Sequence, residues 1–324
     1  MSTTRVAAFD CGTNSLRVLV ADLDPVSGTE TEVLREMRIV RLGEGVDRTG
    51  RISDAAMRRV LTAVEDFAEL VRDAGAAAVR FCATSAARDA ANAAEFMAAV
   101  RERVGVDPEV LDGLDEARAS YAGATRSLPD APAPRLVVDI GGGSTELILG
   151  DAEGRVLAEQ SLDIGSVRLT ERHLHDDPPT PGQVAALVDD ADAVLDRCRV
   201  PVADARTVIG VAGTVTTVAA GVLGLPGYDR DAIHHAQLRA TDVAATVDDL
   251  VGMDVAARRA LGYMHPGRAD VIAGGALILQ RLLRRVMPDT LLVSEHDILD
   301  GLAWSLVAGD RPDRPAPTRQ GDRA

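Results

Sequence analysis

Residues 6–22 read VAAFDCGTNSLRVLVAD, and residues 136–151 read LVVDIGGGSTELILGD. Each is an apolar strand, an Asp, a turn of Gly and hydroxyl residues, and a second apolar strand. Asp10 and Asp139 stand 129 residues apart, and Gly12/Gly141, Ser15/Ser144 and Asp22/Asp151 keep that spacing. At the same offset, Phe81-Cys82-Ala83-Thr84-Ser85 matches Gly210-Val211-Ala212-Gly213-Thr214, each read as a strand ending in a small, hydroxyl-bearing turn. Between these blocks the spacing predicts a helix over about 54–73, capped by Ser53, and a counterpart over about 182–197 after Pro181. A third strand, near 33–40 and near 157–164, precedes each helix. Hairpin-joined strands pair antiparallel, and a strand–helix–strand crossover pairs parallel. The pattern therefore predicts two duplicated α/β domains with mixed sheets flanked by helices, and a site in the cleft between them. The Pro-rich stretch 128–134 marks the boundary, giving domains 1–130 and 131–309; the Pro-, Arg- and Asp-rich tail 310–324 reads as disordered.

A chain of 324 residues is long enough for two cores. Its formal charge of −15 argues against nucleic-acid partners and against an anionic membrane surface. All 35 basic residues are Arg, which excludes a lysine phosphate loop, a lysine Schiff base and a kinase-type strand lysine. Phosphate would have to be handled by backbone N–H groups, Arg, hydroxyls or a metal. Aromatic residues make up 2%, too few for a platform of stacked bases. Cys11, Cys82 and Cys198 form neither a zinc spacing nor a disulfide framework, as suits a reducing compartment. No secretory leader pattern and no apolar run of about 18 residues is present, so a cytoplasmic protein is expected.

A tight turn of Gly and hydroxyl residues presents several N–H groups to one point and makes an anion nest. Gly12-Thr13-Asn14-Ser15 and Gly141-Gly142-Gly143-Ser144-Thr145 are two such turns. One alone reads first as an ordinary hairpin turn; two copies, each behind a strand-end Asp, favour phosphate. Asp10 and Asp139 suit Mg²⁺, held directly or through water, and Glu146 could share its shell, although a strand carboxylate is often merely solvated. Without Lys, an Arg must grip phosphate, and Arg88, just beyond a strand end, is the candidate; its plain alternative is a surface Arg at a helix start. Asp112, Asp115 and Glu116 open a helix, where acids ordinarily serve the helix dipole. His173 and His175 are read as part of a solvated loop, His234 and His235 as opposite-facing and unliganded, and Gly221 with Gly224 as a helix-terminating loop.

The two turns resemble those of the superfamily of actin, sugar kinases and heat-shock chaperone ATPases. Together with ATSAARDAAN (83–92), LDGLDEARASYAGA (111–124) and GVAGTVTT (210–217), they make the chain similar to the exopolyphosphatase / guanosine pentaphosphate phosphohydrolase family over about residues 5–308. The resemblance implies two actin-like (ribonuclease H-like) domains. It implies Mg²⁺-dependent removal of the terminal phosphate of polyphosphate or the 5′ γ-phosphate of guanosine pentaphosphate. It also puts the catalytic base on Glu116, the conserved arginine on Arg88 and the phosphate loops on 10–15 and 139–146. Asp112 and Asp115 depart from the family's usual Ser and Glu. The chain resembles short members without a helical C-terminal extension, for which short polyphosphates are the expected substrates and a homodimer is one expected assembly. The competing readings are a small-molecule kinase on the same fold and a non-catalytic polyphosphate or alarmone sensor, the latter disfavoured by the intact Glu116.

Overall fold

The computed structural model describes residues 3–128 and 130–307; the tail read as disordered lies outside the described residues. The first sheet contains β1 (Thr4–Cys11), β2 (Ser15–Asp24), β3 (Thr29–Ile39), β4 (Ala78–Ala83) and β5 (Glu109–Val110) in the order β3-β2-β1-β4-β5. The second contains β6 (Arg135–Ile140), β7 (Thr145–Gly150), β8 (Val156–Leu162), β9 (Thr207–Val211), β10 (Gln237–Arg239) and β11 (Thr290–Val293) in the order β10-β11-β9-β6-β7-β8. In the shared five strands the hairpin neighbours are antiparallel and the crossover neighbours parallel, so the second sheet repeats the first; it adds β10 at its edge, antiparallel to β11 although a helical connection joins them. The repeat holds in register: Asp10 lies opposite Arg17 and Cys82, and Asp139 opposite Glu146 and Val211.

Alternation along β1 explains how the first sheet buries both faces. Ala7, Phe9 and Cys11 face the helix Asp54–Ala74, which presents Val60, Val64, Phe67 and Val71 at helical spacing. Ser53 caps that helix by accepting from the Ala56 N–H, and Gly75, at φ 68°, ends it in the left-handed region. The counterpart helix Pro181–Leu195 starts with a reciprocal Thr180–Gln183 capping box.

The remaining faces are covered by exchange. The helix Gly113–Arg126, which precedes the Pro-rich connector, lays Ala117, Tyr121 and Ala124 on Val137, Ile148 and Ile209 of the second sheet. The helix Ile298–Ser305, at the far end of the chain, lays Leu299, Leu302 and Trp304 on Val6, Ala8 and Leu19 of the first. The two helices cross at glycines. A Cβ on Gly123 would sit 1.8 Å from the Asp297 carbonyl oxygen, and one on Gly301 would sit 2.0 Å from that of Ala119. Each backbone fills the space where the other's side chain would be. This crossing brings two helix starts, carrying Glu116 and Asp297, to the cleft.

Three local expectations are corrected. The stretch 210–214 is not a turn: β9 passes at Val211 directly into the helix Ala212–Val222, with the change of direction taken at Ala212, φ 64°. His173 is not loop; it ends the helix Ser166–His173 and bonds Asp190 through Nε2 at 2.9 Å. His234 and His235 lie outside any strand, and their rings stack at 3.7 Å instead of facing apart. Gly221 is the penultimate residue of its helix, and Gly224, φ 64°, follows the end.

Candidate active site

The two Gly-rich turns are built alike. Gly12 N–H donates to Ser15 O (2.9 Å) and Gly141 N–H to Ser144 O (3.0 Å), closing each turn. Neighbouring N–H groups then occupy the outward carbonyls. Thr13 O accepts from Gly43, Asn14 O from Val40 and Arg41, Gly141 O from Ser166, and Gly142 O from Val167 and Arg168. With the carbonyls tied back, the N–H groups of Thr13, Asn14, Gly142 and Gly143 have no protein acceptor among the described residues. Thr13 Oγ1 is buried and likewise unpartnered, and Asn14 Oδ1, an acceptor, is buried without a donor. Buried polar groups are ordinarily satisfied, so the free N–H groups and the Thr13 hydroxyl make a nest that suits an anion.

The turns face each other at contact distance; a Cβ on Gly143 would lie 2.8 Å from Thr13 Oγ1 and 2.5 Å from Ser85 Oγ. Between them lies a cavity of about 90 Å³, lined by both turns with Asp10, Asp139, Glu116, Arg17 and Arg268. Of the sequence candidates, Gly12, Thr13, Asn14, Ser15, Gly141, Gly142, Gly143 and Ser144 all line it, though Gly12 and Gly141 spend their N–H groups on the turn itself. Thr145 does not: it is a residue of β7, and its hydroxyl donates to Ile164 O at 2.7 Å. Glu146 and Arg88 stand behind the lining. Arg88 Nη1 donates to Glu116 Oε2 (3.1 Å) and Leu111 O (2.9 Å), so this nitrogen holds the Glu116 carboxyl. Asp112 is the helix N-cap, accepting from the Leu114 and Asp115 N–H groups. Its replacement of a family Ser therefore preserves a capping side chain.

The electrostatics of the two copies differ because positions 17 and 146, equivalent under the repeat, carry opposite charges. Asp10 accepts from Arg17 Nη2 (2.7 Å) and Nε (3.0 Å), and Arg17 also pairs with Asp297. Asp139 instead faces Glu146, with Glu116 nearby. Burial pushes the Glu116 carboxyl up to about 8, with Arg88 opposing and Asp139 and Asp10 adding to the shift. Burial and the neighbouring Asp297 push Asp139 up to about 7, against a 2.6 Å bond from Ser120 Oγ. Glu146 is raised well above the carboxylate range by burial and by Glu116 and Asp139, despite the 2.7 Å bond from Ser161 Oγ. Three buried carboxyls with one paired guanidinium are deficient in positive charge, and their hard oxygens suit a divalent cation. No three such side chains converge into a closed cage among the described residues, so a cation here would take one or two carboxylates and fill its remaining positions with water or phosphate. Asp10, already paired with Arg17, is the least available of the expected ligands.

Arg17, Arg268 and Asp297 were not singled out as site residues from the sequence. Arg268 donates to Gly213 O (3.1 Å) and Thr217 Oγ1 (3.4 Å) and has no carboxylate within ion-pair distance among the described residues. It also lines a second cavity of about 450 Å³ that adjoins the first and shares Arg17, Ala212 and Gly213 with it. Tyr228, Tyr263, Met37 and Met264 line this space, so two of the three tyrosines stand beside the phosphate turns.

A model of the Ppx/GppA phosphatase family matches residues 19–308. Exopolyphosphatase 2 of Mycobacterium tuberculosis is 47% identical over 323 residues, covering 95% of this chain and 100% of that protein. Exopolyphosphatase 1 of Mycobacterium leprae is 30% identical over 303 residues, covering 92% and 88%. Among solved structures, an exopolyphosphatase-like protein superposes with a TM-score of 0.91 at 41% identity over 94% of this chain and 98% of that one. The Ppx/GppA family member of Aquifex aeolicus superposes with a TM-score of 0.81 at 30% identity over 96% and 99%. With the duplicated actin-like fold and both Gly-rich turns in place, the chain belongs to the Ppx/GppA phosphatase family.

Proposed function

We propose that this protein is an exopolyphosphatase that releases orthophosphate from the end of inorganic polyphosphate. The observation that carries the reading is the pair of facing turns whose N–H groups and Thr13 hydroxyl lack protein acceptors, with a buried carboxyl, Glu116, at the same cavity. Phosphoryl transfer needs positioning and charge stabilisation more than covalent chemistry, and these are the parts present. The turns hold the non-bridging oxygens of the terminal phosphates, and Arg17 and Arg268 face the same space. Glu116 orients the attacking water and takes its proton as the new P–O bond forms. The bridging P–O bond breaks, and the shortened chain leaves with the bridging oxygen. Arg88 holds Glu116 in place. Mg²⁺, held by Asp139 and Glu146, would neutralise phosphate charge when bound.

With a net charge of −15, the surface outside the cleft repels a long polyanion, so short chains are the better substrates. A second reading, guanosine pentaphosphate, is favoured by the adjoining cavity and its two tyrosines, which could take a planar base. Phosphate release from tripolyphosphate, from chains of tens and hundreds of units and from guanosine pentaphosphate, with Mg²⁺ and with chelator, separates these readings. Release from none of them would end the phosphatase proposal, and faster release per chain end from the longest chains would end the short-chain one.

A further inference from the structure

The carbonyls of the second phosphate turn are tied back one by one. Backbone N–H groups hold those of Gly141 and Gly142, but a side chain holds that of Gly143: Arg168 Nε donates to it at 2.7 Å. The peptide between Gly143 and Ser144 is planar and trans, so fixing the carbonyl on the Arg168 side aims the Ser144 N–H the opposite way. The rest of the same guanidinium reaches the other domain. Nη1 donates to Asp47 Oδ1 at 2.6 Å, and Nη2 donates to Asp89 and, at 3.4 Å, to Ser85 Oγ. The side chain is 11% exposed, so these bonds are only weakly screened.

The opposite partner is also tied to its own phosphate turn. Asp47 lies in the short helix Val46–Thr49, four residues beyond Gly43, whose N–H holds Thr13 O. The next turn of Arg168's helix adds Arg172, which grips Asp47 at 2.6 Å, and Glu171, which accepts from the Gly45 N–H at 3.1 Å. Arg168 therefore touches the second turn directly and, through the 43–47 loop, the element that holds the first.

We propose that Arg168 is a positioning residue that sets the orientation of the Gly143–Ser144 peptide only when its guanidinium is also gripped across the cleft, so that domain closure and a working phosphate nest are one event. This rests on the phosphatase reading of the turns. A planar guanidinium suits the role because its fork fixes several acceptors at once, whereas a lysine ammonium would hold fewer of them at fixed angles.

The test uses Arg168→Gln, the pair Asp47→Asn/Asp89→Asn, and Asp89→Asn by itself and combined with Arg168→Gln. It is read by kcat and KM for tripolyphosphate, by the Kd of orthophosphate and by thermal melting. Arg168→Gln is expected to lower kcat/KM about tenfold or more and to weaken orthophosphate binding. The Asp pair, which leaves the Gly143 bond available, is expected to lower kcat with a smaller change in Kd. Because Asp47 is also gripped by Arg172, the cycle is closed with Asp89→Asn by itself, and its combination with Arg168→Gln should be no worse than Arg168→Gln alone. Additive losses, or unchanged kcat/KM and Kd in a well-folded Arg168→Gln, would overturn the proposal. If Arg168→Gln does not fold, Arg168→Lys replaces it. That variant keeps the charge, and wild-type kcat/KM in it would equally overturn the proposal. A wild-type enzyme inert on every phosphoanhydride, with the Kd pattern intact, would sink the phosphatase reading and spare this inference.

Discussion

Glu116→Gln is the sharpest perturbation of the proposed chemistry, because the structure separates its effect on the reaction from its effect on the fold. Glu116 is 8% exposed, and its Oε2 accepts from Arg88 at 3.1 Å, a bond the Gln amide oxygen can keep. Burial pushes the carboxyl up to about 8 against the Arg88 ion pair, so the pocket tolerates an uncharged side chain at this position. An amide of the same shape that keeps the Arg88 bond should leave the melting temperature close to wild type. The catalytic loss should be large: a general base contributes ~10²–10⁴-fold in rate, or roughly 3–5 kcal/mol of barrier. Affinity for a polyphosphate should be unchanged or slightly tighter, because any residual negative charge beside a polyanion is removed. Asp115→Asn is the control. Its side chain is 44% exposed and lies 3.9 Å from Arg118, and adjacent helical positions point about 100° apart, so it does not share the Glu116 direction. The assay is kcat and Kd for tripolyphosphate with saturating Mg²⁺. A Glu116→Gln enzyme with near-normal kcat would refute the assignment. If Asp115→Asn were then inactive, the base is its neighbour; if both were active, Glu146 is the next carboxyl to remove.

Arg17→Met is expected to destabilise the fold by about 3–5 kcal/mol, because it strands Asp10 and Asp297 as buried carboxylates; urea unfolding measures this, and a loss below about 1 kcal/mol would show that the pair is not supported by Arg17. Gly123→Ala and Gly301→Ala should each destabilise by about 1–3 kcal/mol, although Ala favours helix by ~1 kcal/mol, because the new methyl meets backbone oxygen at 1.8 or 2.0 Å; a stabilised variant in thermal melting would contradict the close crossing. His234→Asn should make stability less sensitive to acid. Burial and the neighbouring His235 and His296 lower His234 from 6.5 to about 4, so between those values the unfolded chain binds the extra proton. The stability this represents is full above pH 6.5 and is lost as pH falls toward 4. The Asn oxygen can still accept from the Glu295 N–H, and the pH dependence of urea midpoints for the two proteins should diverge only within that window.

Much of the fold is legible because the chain states it twice. One turn motif with an Asp before it is ambiguous, but two at a fixed offset, followed by the same strand and helix succession, settle which of the repeated strands pair antiparallel and which parallel. The Ser53 cap and the apolar spacing of 54–74 define a helix without any tertiary information. What could not be read is which sheet a helix serves. The 113–126 and 298–305 segments each bury an apolar face, but amphipathicity names no partner, and the crossing depends on two glycines whose neighbours lie more than 170 residues away. The same limit hid Arg17, Arg268 and Asp297, which meet only after both domains have folded. Position in the sequence also could not reveal that Arg88 partners Glu116.

The duplication also explains why the two halves of the cleft are not interchangeable. Two identical anion nests behind two identical acids would put like charges face to face and leave the phosphate no preferred side. One substitution at equivalent cross-strand positions, Arg17 in the first copy and Glu146 in the second, breaks that symmetry. The first copy becomes a neutralised frame, its Asp locked to Arg17 and its turn offering N–H and hydroxyl groups. The second becomes an acidic pocket whose raised carboxyls call for a cation, with Glu116 delivered beside them by a helix that follows the first sheet in sequence but packs on the second. On the proposed reading, a terminal phosphate lying across the cleft meets N–H groups of both turns, with the unpaired acidic residues and Glu116 gathered on the second-copy side. That asymmetry suits an in-line attack in which the water approaches from the Glu116 side.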